Sequence, residues 1–201
     1  MVDTTYPGAI EQCNGVDDDC DTVVDNDIPT PTYARRVQHE DPQYQDYFGS
    51  DLANVGDVDG DGLDDLAIGM RSEDLPAGSH LGLVRVVSSA DFSTICEATL
   101  PAPSFQDNLG WSVASAKGDL NGNATDDFVV GLPFYDNPPY SNSGAVAAFN
   151  LPDCAFIRLM VDPLMDSSDK LGTSIASIGD VDNDYVPDIA AGSTRSSLSV
   201  G

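Results

Sequence analysis

Residues 48–70 read FGSDLANVGDVDGDGLDDLAIGM, and the pattern returns twice: LGWSVASAKGDLNGNATDDFVVGLP from Leu109 and LGTSIASIGDVDNDYVPDIAAGS from Leu171. The opening glycines Gly49, Gly110 and Gly172 lie 61 and 62 residues apart. Upstream text repeats as well, since DPQYQDYFG before the first copy matches APSFQDNLG before the second. A fixed period of this length marks structural units that bury their apolar faces against one another. Within each unit a larger apolar residue precedes an alanine (Leu52-Ala53, Val113-Ala114, Ile175-Ala176), which reads as a first strand. An Asp-rich turn follows, then LAIG, FVVG or IAAG, runs too short for helices and apolar enough for strands buried on both faces. GLVRVV at 82–87 and GAVAAF at 144–149 supply a third strand; EATL at 97–100 and FIRLMV at 156–161 supply a fourth. Four antiparallel strands per ~60 residues make a β-propeller blade. The fold class is therefore all-β, with units starting at about 48, 109 and 171 and the last stopping inside its third strand.

These residues resemble the FG-GAP repeat of integrin α-subunit β-propellers and of secreted bacterial relatives. The FG element is Phe48-Gly49, relaxed to Leu109-Gly110 and Leu171-Gly172. The GAP element is Gly69-Met70-Arg71, Gly131-Leu132-Pro133 and Gly192-Ser193-Thr194. The resemblance covers residues 33–201 and implies part of a larger, typically seven-bladed propeller, with further blades needed to close the ring. YARRV at 33–37 then reads as the fourth strand of a blade that is otherwise absent. The resemblance also implies an extracellular or cell-surface module for adhesion or ligand recognition, with a protein or glycan as ligand and no catalysis. Two alternatives stand beside it: an accessory propeller of a larger secreted hydrolase, and a purely structural cell-surface component.

The turns carry the chemistry. In the first, Asp57, Asp59, Asp61, the carbonyl of Leu63 and Asp65 fall at alternate positions, the spacing of an oxygen cage for Ca2+. Gly62 permits the sharp bend. The third repeats it with Asp180, Asp182, Asp184, the carbonyl of Val186 and Asp188, but has Tyr185 where the glycine stood, so a more strained or differently shaped bend is expected. The second offers Asp119, Asn121, Asn123, the carbonyl of Thr125 and Asp127; two amides for two carboxylates make it the weakest site expected. An EF-hand is excluded because its twelfth position needs Glu, and these loops have Ile68, Val130 and Ala191 there. Asn123-Ala124-Thr125 matches a glycosylation sequon, but a ligand position argues against a glycan.

Residues 1–32 read as a separate Cys/Asp-rich segment and linker. CNGVDDDCDTVVDN repeats the ligand spacing with Asp17, Asp19, Asp21, the carbonyl of Val23 and Asp25. It resembles a short CNGxDDDCDGxxD metal-binding motif of secreted bacterial proteins, departing from it at Thr22. Four cysteines allow three connectivities. The short spacing favours a Cys13–Cys20 staple; the pairing of Cys96 and Cys154 stays open, buried thiols being one reading. Ile28-Pro29-Thr30-Pro31-Thr32 follows as a stiff connector. No basic start or apolar stretch marks a signal peptide, so a secreted protein would need a leader outside this chain.

Composition narrows the partners. Eight Lys and Arg face 34 acids, a net charge of −26, and only four of the acids are Glu. Asp in such excess suggests turns and hard-cation ligation rather than a merely soluble surface. So negative a field argues against nucleic acid and anionic lipid as partners. No apolar run approaches the ~18 residues of a spanning helix, so no membrane insertion is expected. His39 and His80 lack metal-ligand spacing, and no nucleophile elbow, zinc-protease helix or phosphate loop is present. Trp111, Tyr33, Tyr44 and Tyr47 read as packing aromatics. Strand parity puts residues 71–80 and 133–143, with the inter-blade links 101–108 and 162–170, on the face opposite the acidic turns. PFYDNPPYSNS at 133–143 has the aromatic composition of a recognition loop.

Overall fold

The computed structural model describes residues 20, 22, 37, 46–76 and 78–194. The chain divides into two compact units, 1–38 and 39–201. The Cys13–Cys20 staple, the ligand set around Asp17 and the strand expected at 33–37 lie outside the described residues, apart from Cys20 and Val37 themselves. Within the second unit each repeat becomes one antiparallel sheet. The first holds β1 (Phe48–Gly56), β2 (Asp65–Met70), β3 (Leu83–Val87) and β4 (Thr94–Ala98) in sequence order. The second holds β5 (Ser112–Ser115), β6 (Asp127–Leu132), β7 (Ala145–Asn150) and β8 (Phe156–Met160), also in order. The third pairs β9 (Ser174–Gly179) with β10 (Asp188–Gly192). These are propeller blades. Among the described residues no helix is long and apolar enough to cross a membrane.

The alanines quoted above keep one register throughout: Ala53 opposes Ala67, Ala114 opposes Val129 and Ala176 opposes Ala190. The fourth strand of the first blade differs from expectation, starting at Thr94 rather than Glu97. The turn before it is closed by Ser88 N–H to Ser93 O (3.0 Å) and Phe92 N–H to Ser88 O (2.8 Å).

The blades pack face to face. β6 is buried at all six positions because it lies between two other sheets. Its Phe128, Val130 and Leu132 join Val84, Val86 and Ala98 of the first blade in one core. Its Val129 belongs with Ala148 in a second core, against which Ile175 and Ile189 of the third blade pack. This is why LAIG and FVVG are continuously apolar rather than alternating.

The glycines explain how closely the sheets approach. A Cβ on Gly69 would overlap the Gly110 carbonyl, and one on Gly131 would overlap that of Gly172. The same carbonyls accept hydrogen bonds from Ser50 Oγ (2.7 Å) and Ser112 Oγ (2.8 Å). Parallel bridges between Gly82 and Leu109, and between Gly144 and Leu171, carry the chain from one blade to the next. The GAP glycine of one repeat and the FG glycine of the following repeat are thus two sides of one contact.

The pairing that the sequence left open is decided here: Cys96 and Cys154 are not buried thiols but form a disulfide, with an S–S distance of 2.02 Å and a sequence separation of 58. Cys96 lies in β4 and Cys154 in the turn between β7 and β8, so stacking of neighbouring blades, not proximity in sequence, selects the pair. By the chain-entropy argument a loop of this length contributes about 4 kcal/mol. The paired variant Cys96→Ala/Cys154→Ala is expected to lose that much in urea unfolding. Gly131→Ala is expected to cost at least about 2–3 kcal/mol, because backbone rather than a flexible side chain must move. Gly122→Ala, where φ is +84° and nothing lies within 4 Å, carries only the backbone strain of about 1–2 kcal/mol.

Candidate metal centres and the opposite face

Each acidic turn is folded by its own carboxylates. In the first, Asp57 accepts the Gly60 N–H at Oδ1 (2.7 Å) and the Gly62 N–H at Oδ2 (2.9 Å). Asp59 Oδ1 accepts the Asp61 N–H (3.0 Å), and Asp61 Oδ1 accepts the Leu63 N–H (2.8 Å). These Asx turns spend one oxygen each on bending the chain at Asp59 and Asp61, leaving the other free. Oxygens of Asp57, Asp59 and Asp61, all exposed, lie within 4.8 Å of one another. Three carboxylates at that spacing repel, and a hard cation is the partner that would hold them together.

The third turn repeats the construction. Asp184 N–H donates to Asp180 Oδ1 and Asp182 Oδ1 (both 3.1 Å), Tyr185 N–H to Asp180 Oδ2 (2.9 Å), and Val186 N–H to Asp184 Oδ1 (2.8 Å). Tyr185 has φ +71°, the strained bend its size implied. Oxygens of Asp180, Asp182 and Asp188 lie within 4.8 Å of one another.

The ninth positions serve the fold as well. Asp65, 1% exposed, takes the Val58 (2.8 Å) and Asp59 (3.3 Å) N–H groups on one oxygen and the Ser89 N–H (3.1 Å) on the other. It braces the turn against the β3–β4 connection and stands outside the Asp57 cluster, as Asp184 stands outside the Asp180 cluster. Asp188 accepts the Val181 N–H (2.8 Å) while remaining within its cluster.

In the second turn Asp119 accepts the Asn121 (2.9 Å) and Gly122 (2.6 Å) N–H groups at Oδ1 and the Ala124 N–H at Oδ2. These backbone bonds, Ala124 first, hold its carboxyl below the usual range. Asp127 is fully buried: Oδ2 accepts the Leu120 N–H (2.6 Å), and Oδ1 has no hydrogen-bond partner. Burial, with Asp119 and Asp126 nearby, pushes its carboxyl up. Sequence reasoning missed Asn150, whose side chain reaches this turn from the end of β7. The signal was its alignment with Ser88 of the first repeat.

On the other face, the expected loops meet the expected links. Asn108 Nδ2 donates to Arg71 O (2.8 Å), Ser168 N–H to Ser141 O (2.8 Å) and Lys170 N–H to Asn142 O (3.1 Å). The Arg71 guanidinium lies 4.2 Å from the centroids of both Tyr47 and Trp111. Trp111 meets Phe134 edge-on at 5.2 Å, and Lys170 sits 4.8 Å over Phe134. Two cations and three aromatic rings therefore run as a ladder across the junctions between blades. Beside it Asp107, 1% exposed, accepts the Ser104 N–H at 2.6 Å. Burial, reinforced by the Asp136 charge, pushes its carboxyl up to about 6.

The FG-GAP repeat family model matches residues 48–87. Integrin alpha-7 of Rattus norvegicus is 31% identical over 135 residues, 61% of this chain and 11% of that protein. Integrin alpha-11 of Homo sapiens is 30% identical over 157 residues, 75% of this chain and 13% of that protein. Integrin alpha-8 of Gallus gallus is 28% identical over 174 residues, 79% of this chain and 15% of that protein. The chain thus spans about a seventh or less of the length of these relatives.

Asp107 gives a pH signature. Its folded-state pKa lies above the ordinary 3.8, so between pH 3.8 and about 6 unfolding releases a proton. Its contribution to stability therefore falls as pH rises through that window, by on the order of 2 kcal/mol. Asp107→Asn, which keeps the acceptor oxygen, is expected to remove that fall in urea midpoints measured from pH 4 to pH 7. An unchanged profile refutes the assignment.

Proposed function

We propose that this chain, which carries an FG-GAP repeat and is similar to integrin α-subunits over most of its length, is a calcium-stabilised β-propeller module for adhesion or ligand recognition, extracellular and without catalysis of its own. The observation that carries the calcium reading is the convergence of carboxylate oxygens in the first and third turns. Ca2+ there takes Asp57, Asp59 and Asp61 with the Leu63 carbonyl, and Asp180, Asp182 and Asp188 with the Val186 carbonyl, adding water to reach its usual coordination. Asp65 and Asp184 act beside these sets as turn braces. A flexible all-oxygen cage suits Ca2+ better than Mg2+, which demands near-octahedral geometry and sheds its water reluctantly. The ligand face is the one opposite the acidic turns, where 133–143 presents exposed Tyr140, with Phe134 and Tyr135 half-buried. A protein or glycan is the ligand class that such an aromatic and polar loop fits. Binding of the full chain to an array of extracellular-matrix proteins and glycans tests this. Retention lost on Phe134→Ala/Tyr140→Ala supports it; retention unaffected by these changes refutes the placement.

Calcium at about 10–20 times its dissociation constant stabilises by roughly 1.4–1.8 kcal/mol per site. Two sites then contribute about 3 kcal/mol, so chelation is expected to lower Tm by roughly 6–12 °C, with little rescue by magnesium. Asp61→Ala is expected to reproduce part of that loss. Asp64→Ala, whose exposed carboxylate meets only Asn54 Nδ2 at 2.8 Å, is not. Identical melting with and without chelator would make these turns ion-free.

A further inference from the structure

We infer that the second acidic turn is closed by the side chain of Asn150 in place of a cation. The inference rests on the calcium reading of the other two turns and separates this turn from them. In the first turn the residues at positions three and five are Asp59 and Asp61, each with one oxygen in an Asx turn and one left over. In the second turn Asn121 Oδ1 accepts the Asn123 N–H (3.0 Å) and Asn123 Oδ1 accepts the Thr125 N–H (2.9 Å), the same two bends. The atom left over at each position is then an amide nitrogen, which donates hydrogen bonds and cannot ligate a cation.

Those leftover donors have a common acceptor. Asn150 Oδ1 receives Asn121 Nδ2 (3.3 Å) and Asn123 Nδ2, while the Thr125 hydroxyl, 3.2 Å from the same oxygen, donates at 2.7 Å to Asn123 Oδ1, which also takes the Thr125 N–H. Asn150 is itself held in place, because its Nδ2 donates to Asp153 Oδ1 at 2.8 Å. Asp153 in turn accepts the Ala155 N–H (3.1 Å), tying the clasp to the turn between β7 and β8. The polarity of the turn is inverted: where the first turn directs oxygens at one point, the second directs two amide N–H donors at one oxygen.

Four differences between the repeats act together. Asp59, Asp61, Leu63 and Ser88 of the first correspond to Asn121, Asn123, Thr125 and Asn150 of the second. Ser88 Oγ only accepts the nearby Ala90 N–H (3.3 Å), so the first repeat has no such clasp at that position. Asp119 accepts three backbone N–H groups, much as Asp57 accepts two, so what separates the second turn is the amide head groups at positions three and five rather than the bonding of its first aspartate. The unpartnered Asp127 Oδ1 is the one atom that a cation here would answer, and the experiment below decides between the two.

Ions bound to the full chain can be counted by native mass spectrometry in calcium, with thermal melting measured in calcium and in chelator. Asp119→Asn is expected to keep the wild-type ion count, whereas Asp61→Asn loses one ion. Asn150→Ala is expected to lower Tm by roughly 2–4 °C, equally in calcium and in chelator. Loss of one ion on Asp119→Asn overturns the clasp, as does an Asn150→Ala effect confined to calcium. An unchanged count for Asp61→Asn would instead overturn the calcium reading of the first turn, while the melting of Asn150→Ala still tests the clasp.

Discussion

The contact on which the rest depends is the approach of one repeat's GAP glycine to the next repeat's FG glycine. Gly69 against Gly110, and Gly131 against Gly172, leave no room for a Cβ, and serine hydroxyls at positions 50 and 112 bind the same carbonyls. Sheets held this close must share a core, so β6 loses its polar face altogether. The apolar composition of the inner strands is thus a consequence of blade spacing. So is the disulfide, which joins β4 of one blade to the β7–β8 turn of the next.

Stacking blades in register also sorts the chemistry into two faces. Every β1–β2-type turn falls on one side, where aspartates bend the backbone with one oxygen and present the other. The opposite side carries the 71–80 loop, tied to its inter-blade link by the Asn108 side chain, and the 133–143 loop, tied to its link by backbone hydrogen bonds. There Arg71 lies between Tyr47 and Trp111, so one of the chain's few cations is committed to joining two repeats rather than offsetting acidic turns. A net charge of −26 is tolerable in such a fold because, among the described residues, most of the acids lie on exposed turns, where water and proposed cations screen them.

The three turns share a backbone path and differ in what they present. Asx bonding needs only an acceptor oxygen at alternate positions, which Asp and Asn supply equally, so the bend survives exchange of one for the other. The second atom of the head group decides the rest: an oxygen in Asp59 and Asp61, a nitrogen in Asn121 and Asn123. One scaffold can therefore offer a cation cage or a neutral clasp without altering its strands.

Much of this was legible in the sequence because it is local and periodic. The repeat, the strand order, the inner-strand burial and the positions of the acidic turns all follow from spacing along the chain, and so does the sorting of loops to two faces by strand parity. The clustering of Asp57, Asp59 and Asp61 was legible too, since alternate residues of a tight turn converge. Contacts between repeats were not. The pairing of Cys96 with Cys154 is open in the sequence because 58 residues separate them, and only the stacking of blades brings their Cα atoms to 5.7 Å. Asp65 reads as a ligand by position; that its oxygens also meet backbone N–H groups, one of them 24 residues away at Ser89, was not legible. Asn150 carried no motif at all; the pairing of β6 with β7 sets it over a turn that ends more than 20 residues earlier. Sequence determined which atoms each repeat could offer, and tertiary structure decided which of them meet, because side chains far apart in the chain become neighbours only when the sheets close on one another.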